Sequence, residues 1–177
     1  MVNPLNHLKT VNRHRYEVLK LCMKCGIPLQ GIVHDLSKYS PSEFIPSIHY
    51  WTGKISPIDV ETEKKGYSTA WLHHKGRNKH HHEYWYDYAA PDKTPIIPYS
   101  YFVEMVCDML AAGMTYQGKK WTNEYERNYW MNKREECKIN PKLDFLLTKI
   151  FTDISSEGVK KVINKKNLKE LYRKYIG

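Results

Sequence analysis

Gly31-Ile32-Val33-His34-Asp35-Leu36-Ser37-Lys38 closes an apolar run by placing an imidazole beside a carboxylate, with a lysine three residues further on. Pro28 opens a short helix carrying Ile32, Val33 and Leu36, and His34 and Asp35 fall at its C-terminal end. Adjacent residues on a helix do not share a face, so this pair converges on one ion only at a helix end or a distorted turn. Upstream, Leu5, Leu8, Val11, Val18, Leu21, Cys22 and Cys25 recur at three- and four-residue steps, predicting a helix from 5 to about 25 that stops at Gly26. His7 and His14 lie two turns apart on one face of it, and His14 interrupts the apolar stripe.

Downstream, Ser40-Pro41 and Ser56-Pro57 each pair a cap with a proline at the first helical position. The stretch from Trp71 to Trp85 holds five of the nine histidines. Residues 90–98 contain Pro91, Pro95 and Pro98 and read as an irregular connection. From Pro98 to about Gln117 apolar residues occur on most sides, so this helix is expected to be central. Glu104 and Asp108 sit one turn apart within it. A carboxylate there is costly unless it is paired with a cation or holds a metal. Further helices are expected at about 122–137, 141–154 and 166–175, with Asn140-Pro141 and Asn167 as start signals. No alternating strand pattern and no internal repeat of useful length is present. The expectation is an all-α bundle, with a core over 1–118 and a C-terminal helical segment, 119–177, packed on it as part of one domain.

The chain has 177 residues and a net charge of +9. Residues 1–118 carry 13 Lys/Arg against 11 Asp/Glu, while residues 119–177 carry 15 against 8. That basic region is either a phosphate-contacting surface, with nucleic acid as partner, or a solvated face. No run approaches 18 apolar residues and no basic segment precedes an apolar one at the start, so the expectation is a cytoplasmic protein without a membrane partner. The oligomeric state is not legible. Cys22-x-x-Cys25 lacks the second pair of a zinc site, and with Cys107 and Cys137 reads as structural thiols.

His14, the adjacent His34-Asp35 and Asp108 on a later apolar helix resemble the HD superfamily of metal-dependent phosphohydrolases. The resemblance covers about residues 7–118 and implies an HD-domain-like helical bundle with additional C-terminal helices. It implies His14, His34, Asp35 and Asp108 as metal ligands. His34-Asp35-Leu36-Ser37-Lys38 is similar to the H-D-x-G-K variant with serine in place of glycine, which implies Lys38 as a phosphate contact. His73-His74 and His80-His81, with Glu83 and Trp85, resemble the extra histidines of two-metal HD proteins. His74 and His81 are our choice there, with His73, His80 and His82 as open alternatives. This pattern and the HDLSK stretch also resemble a small family of bacterial and phage proteins, which bears on fold and not on substrate.

Imidazole and carboxylate donors suit one or two divalent transition ions and do not choose among Mn, Fe, Zn, Ni and Co. Such ions activate water near neutral pH and clamp the oxygens of a phosphoryl displacement. Lys38, Lys75, Arg77 and Lys79 are candidates for binding substrate phosphate. Glu43 is either a general acid or base or a charge at a helix N-terminus. The leading expectation is a phosphohydrolase acting on a nucleotide or another small phosphoester. An HD-type di-iron oxygenase, and a non-enzymatic nucleic-acid or protein binder with a structural metal, are the competing readings.

Overall fold

In the computed structural model, which describes residues 4–177, the protein is all-α, with no strand among those residues. The helices are α1 (Pro4–Cys25), α2 (Pro28–Val33), α3 (Pro41–Tyr50), α4 (Pro57–Lys65), α5 (Thr69–Lys75), α6 (Tyr99–Gln117), α7 (Tyr125–Lys133), α8 (Pro141–Glu157), α9 (Val159–Val162) and α10 (Lys165–Tyr175). None is long and apolar enough to cross a membrane.

Of the serines read as caps, Ser40 precedes α3 but its hydroxyl caps no amide, so Pro41 alone marks that start, while Ser56 caps as expected and Ser68 adds a cap the sequence reading did not name. The Ser56 hydroxyl accepts from the Ile58 amide and the Ser68 hydroxyl from the Trp71 amide, each satisfying an orphan donor of a helix start. Asn140 does the same for Lys142. The last long helix begins earlier than expected. Asn164, not Asn167, is its cap, with the Asn164 side chain accepting from the Asn167 amide. Between α8 and α10, α9 adds one short turn, reached through Gly158 at φ +83°. A four-residue turn carries too little periodicity to be visible in a sequence.

The central helix is α6, with Phe102, Val103, Val106, Cys107, Leu110 and Ala111 at most 1 % exposed. It packs on α1, where the Cys25 and Cys107 sulfurs lie 3.8 Å apart. On its other sides the same core takes in Leu143, Leu146, Leu147, Ile150, Phe151 and Ile154 of α8, Trp130 of α7 and Leu168 of α10. The two halves of the chain thus share one apolar cluster. Cys22, Cys25 and Cys107 are buried and unoxidised, as structural thiols would be. The cations of α9 and α10, among them Lys160, Lys166, Lys169 and Arg173, are exposed.

The break after α2 matters most for the site. His34 leaves the helix with φ −48° and ψ 128°, and Asp35 turns into the left-handed region at φ 54°. Asp35 is the one non-glycine with positive φ among the described residues. Such a conformation is costly for a residue with a Cβ and persists where the surroundings over-determine it. Arg15 of α1 does part of that: its Nε donates to the His34 carbonyl and its Nη2 to the Ile32 carbonyl, both at 2.7 Å. These are helix-end carbonyls that lack an intrahelical partner.

Candidate metal centre

Because the chain reverses direction between them, His34 and Asp35 turn their side chains into the same volume, which an unbroken helix forbids. α1 contributes His14 to that volume, α6 contributes Glu104 and Asp108, α5 contributes His74, and the loop after it His80 and His81. His34, Asp35, His74 and His80 are at most 2 % exposed.

Two groups of four donors meet there, and each group's ligand atoms lie within 4.8 Å of one another. The first is His14, His34, Asp35 and Asp108. His14 Nε2 lies 2.9 Å from Asp108 Oδ1, and His34 Nε2 lies 3.2 Å from Asp35 Oδ2 and 3.4 Å from Asp108 Oδ1. The two Nε2 atoms approach to 3.4 Å. The second group is Asp35, His74, His80 and His81. Asp35 Oδ1 lies 3.2 Å from His74 Nε2 and 3.5 Å from His80 Nε2. Asp35 therefore turns one oxygen to each group.

Buried polar atoms ordinarily find partners. Here both Asp35 oxygens and the Nε2 atoms of His74, His80 and His81 are buried without a hydrogen bond of acceptable geometry. Lys38 Nζ approaches Asp35 Oδ2 to 2.5 Å and is the ion pair of that oxygen with a lysine. No Lys or Arg among the described residues forms an ion pair with Asp108, whose partners are imidazoles: His14 at 2.9 Å, His34 at 3.4 Å and His80 at 3.7 Å. A set of inward-facing lone pairs of this kind suits a divalent cation chemically.

Behind the inner donors stand two further carboxylates. Glu104 Oε1 lies 3.0 Å from His34 Nδ1 and 3.1 Å from His80 Nδ1. Glu43 Oε1 lies 2.7 Å from His73 Nδ1, and its Oε2 lies 2.7 Å from His74 Nδ1. An ionised carboxylate only accepts, so these imidazoles donate from Nδ1, which leaves the Nε2 atoms of His34, His74 and His80 facing the inner donors.

The electrostatics follow from that packing. Burial works against charge on His34, yet Asp35, Asp108 and Glu104 hold its pKa well above the ordinary imidazole value. Burial works against ionising Asp35, and His34, Lys38 and His74 overcome it, leaving the carboxyl well below its usual range. Asp108 is likewise held low by His14 and His34 against its burial. His81 goes the other way: burial first, then the neighbouring His80 and His74, lowers its pKa well below the ordinary value, which leaves a neutral ring. Glu43 is held below its usual range by His74 and His73 against its burial.

Among the residues singled out from the sequence, His14, His34, Asp35 and Asp108 come together, as do His74 and His81. Of the histidines left as alternatives, His80 joins both of these, His73 turns to Glu43, and His82 lies 3.3 Å from Glu83. Glu43 has both oxygens engaged by imidazoles, in addition to its place in the first turn of α3. Lys38 stands at the inner donors. Lys75 is half-buried, and Arg77 and Lys79 are exposed. Lys79 lies over the Tyr84 and Tyr101 rings, and no ion pair or hydrogen bond joins these three cations to the donors. Sequence reasoning missed Glu104 and Arg15 as participants. Glu104 had one available signal, its place one turn before Asp108 on a helix otherwise apolar. Arg15 had none.

Residues 3–153 match the model of a family described as a family of unknown function, DUF5662. No curated protein matches the chain. No solved structure matches it either.

Proposed function

Since the chain belongs to the DUF5662 family, whose description carries no activity, we propose one from the site itself: a metal-dependent phosphohydrolase of HD type acting on a nucleotide or other small phosphoester. The observation that carries this reading is the pair of four-donor groups hinged on Asp35, in which both Asp35 oxygens and the Nε2 atoms of His74, His80 and His81 are buried without a hydrogen bond. Their order along the chain, His14, then His34-Asp35, then Asp108, is the HD order.

His14, His34, Asp35 and Asp108 would hold one divalent cation, and Asp35, His74, His80 and His81 a second. Bound there, such ions supply Lewis acidity and a water whose pKa falls to about 7. The chain's own residues do the rest. Glu43 and Glu104 keep the imidazoles in the tautomer that leaves Nε2 free. Lys38 carries a raised pKa, its burial outweighed by Asp35 and Asp108, so it stays cationic. Its side chain is 26 % exposed and that of Asp108 13 %, so both can meet a ligand arriving from solvent. An ammonium there neutralises charge on a phosphate as the ester bond to its leaving group breaks. The depth of the remaining donors favours a terminal phosphate on a small molecule.

The test is a purified, metal-loaded protein assayed on a broad phosphoester panel with Mn, Co, Ni, Zn and Fe in turn. Phosphate release that disappears in His34→Ala and Asp35→Ala supports the reading. Silence across the panel with every ion sinks it. Oxygen uptake with iron, and no turnover with any redox-inert ion, would assign the oxygenase chemistry in its place.

A further inference from the structure

We propose that Glu104 is a positioning residue serving both donor groups at once, whereas Glu43 serves only the second; this rests on the two-cation reading above. The assignment comes from which rings each carboxylate touches. Glu104 Oε1 takes Nδ1 of His34, a member of the first group, and Nδ1 of His80, a member of the second, at 3.0 and 3.1 Å. The two rings lie with centroids 4.4 Å apart, so a single oxygen sets the tautomer and tilt of both. Glu43 touches His73 and His74, both on α5, and of these only His74 belongs to a donor group.

Placement reinforces the difference. Glu104 is buried at 5 % exposure on α6, one helical turn before Asp108, so the same rigid element delivers a donor of the first group and the tautomer lock of both. With little water to compete, the Nδ1–H groups of His34 and His80 have this carboxylate as their partner. An amide in its place loses the charge. It can also turn its NH2 toward a ring and force Nδ1 to accept, which moves the proton to Nε2, the atom facing the cation.

Glu104, His34 and His80 themselves form a third cluster of metal-capable atoms. The separations of 3.0 and 3.1 Å are those of N–H···O hydrogen bonds, and a cation among these three would draw on Nδ1 and leave Nε2 protonated toward Asp35. That rival predicts a different stoichiometry, which makes it testable in the same experiment.

Metal-free full-length protein is titrated with Co(II), following heat and the visible absorption bands of the bound ion, alongside elemental analysis. Wild type is expected to take two equivalents. Glu43→Gln is expected to keep one equivalent at wild-type affinity and to weaken the other by about tenfold to hundredfold. Glu104→Gln is expected to weaken both by about that factor and to alter the bands of both. Glu104→Asp, which keeps the charge but withdraws it by a methylene, is expected to weaken both as well, and stands in if the glutamine variant does not fold. Weakening of only one equivalent, or of neither, in either Glu104 variant overturns the assignment. A wild type that binds fewer than two equivalents removes the two-cation reading itself, before any variant is compared.

Discussion

Glu126 is 1 % exposed on α7 and lies against the backbone of α6, so close that a Cβ added at Gly113 would sit 1.8 Å from its Oε1. Burial, aided by the charge of Asp108 and opposed by the Trp121 indole that donates to Oε1 at 3.2 Å, pushes its carboxyl up from 4.5 to about 7. A carboxyl that holds its proton more tightly when folded adds stability in full below its unfolded pKa. That contribution is lost as pH rises through the folded value. The difference between 4.5 and about 7, at about 1.4 kcal/mol per unit, makes this close to 3 kcal/mol, an upper limit reached only once the folded carboxyl is fully ionised. Glu126→Gln keeps the shape and removes the titration. Urea unfolding of the metal-free protein at pH 4, 5, 6, 7 and 8 is expected to show the variant and wild type nearly equal only at pH 4, with the variant's advantage widening as pH rises. By pH 8 the variant is expected to be the more stable, by about 2–3 kcal/mol. A difference that does not change with pH, or a variant less stable than wild type at pH 8, refutes the argument that burial leaves this acid protonated.

Gly113→Ala is expected to destabilise by about 1–3 kcal/mol through overpacking against Glu126 and Tyr125, and the double variant with Glu126→Ala to lose less than the two singles together. Arg15→Ala uncovers the carbonyls of Ile32 and His34 and is expected to cost about 1–3 kcal/mol in urea unfolding, with weaker Co(II) binding because Asp35 loses its clamp. Because His34 and His74 are held above the ordinary imidazole pKa in the metal-free protein, ion uptake must displace their protons. Co(II) affinity is therefore expected to fall as pH drops from 8 to 6, and calorimetry in two buffers of different ionisation heat to show proton release. Equal heats in both buffers would refute that coupling.

Much of the fold is legible in short-range patterns. The three- and four-residue recurrence of α1, the apolar surround of α6, and Ser-Pro and Asn-Pro starts each act within a turn of helix, so a linear reading recovers them. It also recovers an inventory of donors, because an acid on an apolar helix is costly unless it is paired or holds a metal, and because His14, His34-Asp35 and Asp108 are informative in combination. The boundaries that escaped it, α9 and the cap at Asn164, depend on Gly158 and on packing rather than on period.

The choice among five clustered histidines was a different matter. His73, His74, His80, His81 and His82 are equivalent as letters, and what separates them is which carboxylate stands behind each ring. Glu104 reaches His34 across 70 positions of chain, and Glu43 reaches His74 across 31. The left-handed turn at Asp35 is held from α1 by Arg15. Helical period and capping are properties of neighbours in sequence, so the residues alone determined an all-α chain rich in candidate donors. Tautomer, burial and convergence are properties of neighbours in space, and only the packing of α6 against α1 and the α2 break decided which of those donors face one another.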